Sequence, residues 1–431
     1  MKKSFTKFLA LIVTATLALP VCAQEYVNSS FSAQALAEAA MKAPEAVADV
    51  KLPEAEDKED EEDEDEEDEN KWKWEFNVQS GFWANQWGAT GGVQEYGVPG
   101  GWDYFGQGGN SCAGLNIDNT GFHLYEFYAA GSREYKINDD WKFLVQSDFM
   151  YGTRAQFYQC CNRFDYMALS KGQYGFAIPQ LYAGLGTDKF NVIVGKFACP
   201  VDNPGDGFFF SDSYNPWMDT HMGVLATWEP CEFVNFTLGW TQGSNEAFDP
   251  DRDSSLIWFG MSRQLTKAIR LSYMMCAGNM ETYENTYSHC IVLETKLSDK
   301  LTYYLGYDFM SLVNGDDDSP NTKLWGLNNC FIYEINEKVQ AGLRIEYQEE
   351  VVADEVVGKF EITLGYSIKP FKNCCCKPRH KRSCLCADRI ASGELTIRPE
   401  IRYDNWSGAN GFNDQTKPYQ FSGGVGVEYS F

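Results

Sequence analysis

Only four histidines occur in 431 residues, His123, His221, His289 and His380, and they lie far apart in the sequence. No nucleophile elbow, phosphate-binding loop or zinc-protease motif accompanies them, so the usual footholds for hydrolysis and metal catalysis are missing. Beyond the first 20 residues no apolar run approaches the ~18 residues of a membrane helix. A chain without such runs crosses a membrane only as strands, because lipid satisfies no unpaired backbone group. Basic residues are also few. The 36 lysines and arginines against 61 acidic residues give a formal charge of −25, which disfavours a nucleic-acid partner.

What is present begins with an export pattern. Met1–Ala23 carries Lys2, Lys3 and Lys7, an apolar run from Phe8 to Leu19, then Val21-Cys22-Ala23, which predicts a secretory signal cleaved after Ala23. Lipoprotein processing before Cys22 fits less well, since Leu19-Pro20-Val21 lacks a small residue next to the cysteine. Residues 24–70 read as a disordered periplasmic segment, Ala-rich and then acidic. Glu54–Glu69 holds fourteen acids in sixteen residues, and self-repulsion makes it an extended tether without the spaced ligands and turn glycine of a calcium loop.

From Lys71 the composition changes to dense aromatics and alternating runs. The clearest is Tyr419–Phe431, where Tyr419, Phe421, Val425, Val427, Tyr429 and Phe431 alternate with polar or tiny residues. Glu394–Asn405 alternates too, placing Arg398, Glu400, Arg402 and Asp404 on one face. Sixteen such runs are legible, from Trp72–Ala84 through an unbroken fourth at Phe176–Thr187 to the closing strand. Gaps after even-numbered runs are tight, as at Asp188-Lys189, Pro230-Cys231 and Asn336-Glu337, whereas those after odd-numbered runs are long and rich in Gly, Asp and Asn. The one exception is Pro370–Ser392, long although it falls on the short side. This asymmetry predicts an all-β fold over residues 71–431: a transmembrane antiparallel up-and-down β-barrel of about sixteen strands, with short periplasmic turns and long outer loops. Trp72, Trp74, Trp83, Trp87, Trp141, Trp217, Trp228 and Trp406 fall near strand ends, as aromatic girdles do.

Several segments carry a family resemblance. Pro179-Gln180-Leu181-Tyr182-Ala183, Val194-Gly195-Lys196-Phe197, Phe209-Phe210-Ser211-Asp212-Ser213-Tyr214, His221 to Thr227 and Gly239-Trp240-Thr241 stand in the order seen in the OmpL-like β-barrel porins. Arg398 to Asp404 and the closing strand extend the match to the C-terminus. The resemblance implies a passive pore of the bacterial outer membrane, whose terminal aromatic strand is read by the barrel assembly machinery.

On the polar faces lie the candidate pore-lining residues Asp148, Asp308, Arg344, Glu346, Glu361, Arg398, Glu400, Arg402 and Asp404. Three arginines against six carboxylates predict weak cation preference, and a salt-bridge network that stiffens the wall is the competing role. Ser211, Asp212 and Ser213 have no placed base and read as loop hydrogen-bonders. No catalytic residue, cofactor or metal is expected. Thirteen cysteines follow the signal, an odd number that leaves one thiol free or bonded to another chain. Cys374, Cys375, Cys376, Cys384 and Cys386 crowd the basic turn at 370–392; with His380 they suggest zinc, but export favours disulfides, within the turn or to envelope partners. The function expected is diffusion of small hydrophilic solutes or ions across outer-membrane lipid. The alternative is a cysteine cross-linked structural or adhesive barrel.

Because the acidic run contributes no apolar burial, deleting Glu54–Glu69 is expected to leave a folded, conducting barrel. Heat-shifted gel mobility and bilayer conductance check this, and loss of either would give the run a structural role.

Overall fold

The structure, a computed structural model, describes residues 71–86, 120–160, 164–165, 174–201, 205, 207–214, 219–244, 247–248, 254–280, 283–314, 321–352, 355–371, 393–408 and 416–431. The strands are β1 (Lys73–Asn85), β2 (Gly121–Lys136), β3 (Lys142–Gly152), β4 (Gly175–Ala177), β5 (Leu181–Gly186), β6 (Phe190–Ala198), β7 (Thr220–Cys231), β8 (Val234–Ser244) and β9 (Ser255–Thr266). They continue as β10 (Ile269–Met280), β11 (Tyr283–Ser298), β12 (Leu301–Asn314), β13 (Thr322–Asn336), β14 (Val339–Val352), β15 (Glu355–Ile368), β16 (Glu394–Ser407) and β17 (Tyr419–Ser430). A short helix, α1 (Ala155–Tyr158), follows β3.

Every pairing between strands is antiparallel, and β17 returns to pair with β1 from Asn77↔Ser430 to Asn85↔Ser422, which closes the sheet. The Phe76 amide donates to the Phe431 carbonyl at 2.8 Å and the Phe431 amide returns to Phe76 at 2.9 Å, so the ladder runs to the last residue. Their rings stack at 5.3 Å. Closure leaves no open edge in lipid.

Both β4 and β5 pair with β3, so they are halves of one wall strand and the wall has sixteen strands. The sequence reads this strand as unbroken; the structure interrupts it at Ile178–Gln180. Pro179 has no N–H to donate to a ladder. The flanking groups find other partners: the Ile178 amide donates to the Asp165 carboxylate at 2.9 Å, and the Gln180 carbonyl accepts from the Asp148 amide at 2.8 Å. A smaller difference lies at the next turn. β7 runs through Pro230 to Cys231, which moves the connection to Glu232-Phe233.

Alternation sorts the two faces. On β16, Ile401 is 64% exposed on the outer face while Arg402 and Asp404 beside it on the inner face are enclosed. Trp72, Trp74, Trp141 and Trp228 are exposed near strand ends, as girdles require. Trp83 and Trp406 depart from that expectation by turning inward, and Trp87 and Trp217 lie outside the described residues. The inner face is also less uniform than its alternation suggests. On β9 to β13, Leu256, Trp258, Cys276, Cys290, Val292, Met310 and Leu324 form a buried apolar cluster, with Cys199 and Val201 packed against it. A wet inner face all round is thus corrected in this sector. The chain after β6 enters the barrel and covers it.

Replacing Phe431 by serine removes the ring that stacks on Phe76 but leaves the backbone pair. Lower outer-membrane levels with unchanged secretion are expected, measured by fractionation and immunoblotting; wild-type barrel levels would contradict this.

Candidate functional site: an inserted loop across the barrel

Three rows of inner-face residues cross β14, β15 and β16. Glu346, Glu361 and Asp404 stand directly opposite one another in the first; Arg344, Thr363 and Arg402 form the next; Gly342, Gly365 and Glu400 form the third. Three adjacent carboxylates repel one another unless cations intervene. Here the arginines reach diagonally. Arg344 holds Glu361 through Nε at 3.0 Å and Nη2 at 2.9 Å, and Arg402 lies 2.7 Å from Glu361 and 2.8 Å from Asp404.

The segment after β6 lies on these rows. Two consecutive amides, of Phe210 and Ser211, donate to the two oxygens of Glu400 at 2.7 and 3.0 Å, and the Tyr214 amide donates to Glu346 at 3.0 Å. In return Arg344 donates to the Ser211 and Asp212 carbonyls, both at 2.9 Å, and Arg402 donates to the Asp212 carbonyl at 2.6 Å. The Tyr214 hydroxyl donates to Asp404 at 2.7 Å and accepts from the Trp406 indole at 3.0 Å. Carboxylates thus hold the loop's amides and guanidiniums hold its carbonyls. Such mutual satisfaction is what buried charges require.

Glycines let the loop seat. Phe208 covers Gly342, Phe209 lies 3.2 Å from where a Cβ on Gly365 would stand, and Phe210 covers Gly426 on β17; side chains at Gly342 or Gly426 would occupy the space of the rings. Phe210 also packs edge-on against Tyr125 at 4.6 Å and beside Trp83 at 5.9 Å. The loop therefore reaches from the wall at β13 and β14 to β17, β1 and β2, and narrows the barrel interior. A second segment braces it: Arg154, next to α1, meets Asp212 at 3.0 Å, Glu126 at 3.6 Å and Gln79 at 3.4 Å.

Of the nine residues expected on the pore wall, the structure brings together Arg344, Glu346, Glu361, Glu400, Arg402 and Asp404, enclosed beneath the loop. Arg398 pairs separately with Glu428. Asp148 is enclosed by Tyr128, Gln146 and Gln180, the last at 2.6 Å. Asp308 is buried on β12. Ser211 and Asp212 are indeed loop hydrogen-bonders. Sequence reasoning missed Phe208 to Phe210, Tyr214, Arg154 and the glycine sockets; the one available signal was three consecutive phenylalanines in a long outer loop. Cys374, Cys375, Cys376, Cys384 and Cys386 lie outside the described residues. Cys160, Cys199, Cys231 and Cys276 are free thiols, Cys290 and Cys330 are buried in the wall, and among the described residues no three His, Cys, Asp or Glu side chains are arranged to hold a metal.

The family model described as Putative beta-barrel porin-2, OmpL-like matches residues 108–431. The chain belongs to this family. It is an outer-membrane porin, and its wall agrees with solved porin folds. The anion-selective porin from Comamonas acidovorans aligns with a TM-score of 0.52 at 10% identity, covering 84% of this chain and 100% of that one. The outer membrane channel DcaP of Acinetobacter baumannii gives 0.52 at 10% identity, covering 84% and 97%. Salmonella typhi OmpF, solved with daunomycin, gives 0.51 at 10% identity, covering 85% and 99%. At such identities the likeness is one of fold. No curated protein matches the chain in sequence.

Removing the Arg402 guanidinium, as in Arg402→Met, leaves Glu361 and Asp404 enclosed without it. A loss of about 3–5 kcal/mol is expected, the range for breaking a buried ion pair. Unfolding of refolded protein in detergent measures it, and a change below about 1 kcal/mol, the level of an exposed pair, would show the network to be solvated.

Proposed function

We propose that this porin passes small hydrophilic solutes and ions by passive diffusion around the inserted loop, with weak cation preference and no catalytic step. The observation that carries the reading is the loop itself, fixed inside a closed wall by enclosed charges. A narrowed interior limits solutes by size, and fixed charge at the narrowing biases which ions enter. The six enclosed groups comprise two arginines and four carboxylates. Asp148 and Asp308 add negative charge, while Arg398 is matched by Glu428. Carboxylates are thus in excess, yet most lie under the loop and act through space, where screening over roughly 8 Å at physiological salt keeps the preference modest. Asp212, 40% exposed on the loop although paired with Arg154 at 3.0 Å, presents its carboxylate to a passing ion. Partners on this reading are outer-membrane lipid, the barrel assembly machinery and the solutes themselves.

Among the described residues, the cross-linked envelope reading is supported by the exposed thiol of Cys231 at a strand end. Covalent multimers on non-reducing gels together with poor conductance would favour it.

Reversal potentials across a potassium chloride gradient test the pore. Wild-type protein is expected to prefer potassium slightly, and Asp212→Asn to move the potential toward zero. Clear anion preference, or no response to Asp212→Asn, would overturn the assignment.

A further inference from the structure

Beside α1 sits a cluster that the pore does not use. Lys196 on β6 and Asp165 are both fully enclosed and meet at 2.9 Å, with the Lys196 ammonium also donating to the Tyr158 carbonyl at 2.8 Å. The other oxygen of Asp165 accepts from the Cys160 amide at 2.7 Å. Cys160, equally enclosed, brings its thiol within hydrogen-bonding reach of both the Lys196 nitrogen and the Asp165 carboxylate. A nucleophilic sulfur and an amine nitrogen therefore share one carboxylate in a site closed to bulk water.

We propose that Cys160 and Lys196 form a covalent S–O–N cross-link when the protein meets a small peroxide. One peroxide oxidises the thiol to a sulfenic acid and leaves as water. A second oxidises the Lys196 amine, after it gives up a proton to Asp165, to a hydroxylamine and likewise leaves as water. Condensation of S–OH with HO–N forms the bridge and releases a third water. The product gains one oxygen and loses two hydrogens, and each peroxide accepts two electrons. Enclosure explains the choice of oxidant, since small peroxides enter where thiols and bulky disulfides do not. Burial pushes the Cys160 thiol up to about 12, so thiolate exchange is suppressed at neutral pH and peroxide oxidation is slow. Oxidation proceeds as the neighbouring Asp165 carboxylate takes the thiol proton and returns it to the departing hydroxide. The bridge would staple the segment following β3 to β6. That segment also carries Arg154, the brace on Asp212, so oxidation would stiffen the support of the inserted loop.

Folded protein in detergent, treated with hydrogen peroxide, quenched and digested with trypsin, tests the inference by mass spectrometry. The expected product joins the peptide containing Cys160 to one uncleaved after Lys196, shows the stated mass change, and is reversed by dithiothreitol. Cys160→Ser is expected to abolish it. Should that variant fail to fold, reversal by dithiothreitol in the wild-type chain still decides. Recovery of Cys160 as free thiol, disulfide, sulfinic or sulfonic acid, with Lys196 cleaved normally, would overturn the proposal. The readout is chemical, so its failure would leave the pore reading untouched.

Discussion

The hydrogen-bonded seam between β1 and β17 is the constraint on which everything else depends. Each unpaired N–H or C=O facing lipid costs several kcal/mol, so a sheet in the membrane must close completely. Closure fixes which face of every strand turns inward. The pairing Gln79↔Glu428 and Trp83↔Gly424 sets this for the seam, and consecutive ladders carry it around to β16. A one-residue slip of β15 or β16 would turn Glu361 or Arg402 toward hydrocarbon.

Inside that wall the loop and the charged rows explain each other. A loop entering the barrel carries backbone amides and carbonyls that need partners away from water. Arginines and carboxylates on the same wall are themselves too expensive to enclose without hydrogen bonds. Setting the Phe210 and Ser211 amides on Glu400, and the Ser211 and Asp212 carbonyls on Arg344 and Arg402, satisfies both demands at once. The phenylalanines add apolar contact over glycines, and Arg344 stacks 4.8 Å from the Phe209 ring centre. The constriction is therefore built from polar complementarity and seated by apolar sockets.

The barrel interior is divided accordingly. Strands β14 to β16 present charge to the loop, whereas β9 to β13 present the apolar cluster around Trp258, Cys276 and Met310. The loop meets both, first through Cys199 and Val201, later through Ser211 to Tyr214. Its course across the barrel follows the change in wall chemistry.

By itself the sequence determined the strands, their number, most of the tight turns and the sidedness of the faces, because period-two alternation and turn residues act within a few positions of the chain. It also marked Arg344, Glu361, Arg402 and Asp404 as inner-face charges. It missed the break at Pro179, where a missing donor matters only once a partner strand is present, and the inward turn of Trp83. Tertiary structure alone decided that the charges are covered by a loop. Asp212 and Arg402 are nearly two hundred residues apart, and nothing in local periodicity records that the backbone of one meets the side chain of the other. The same holds for Gly342 and Gly426, which alternation assigns only to a face. Their lack of a side chain acquires meaning when Phe208 and Phe210 arrive from across the barrel, since close packing is a property of surfaces brought together by closure.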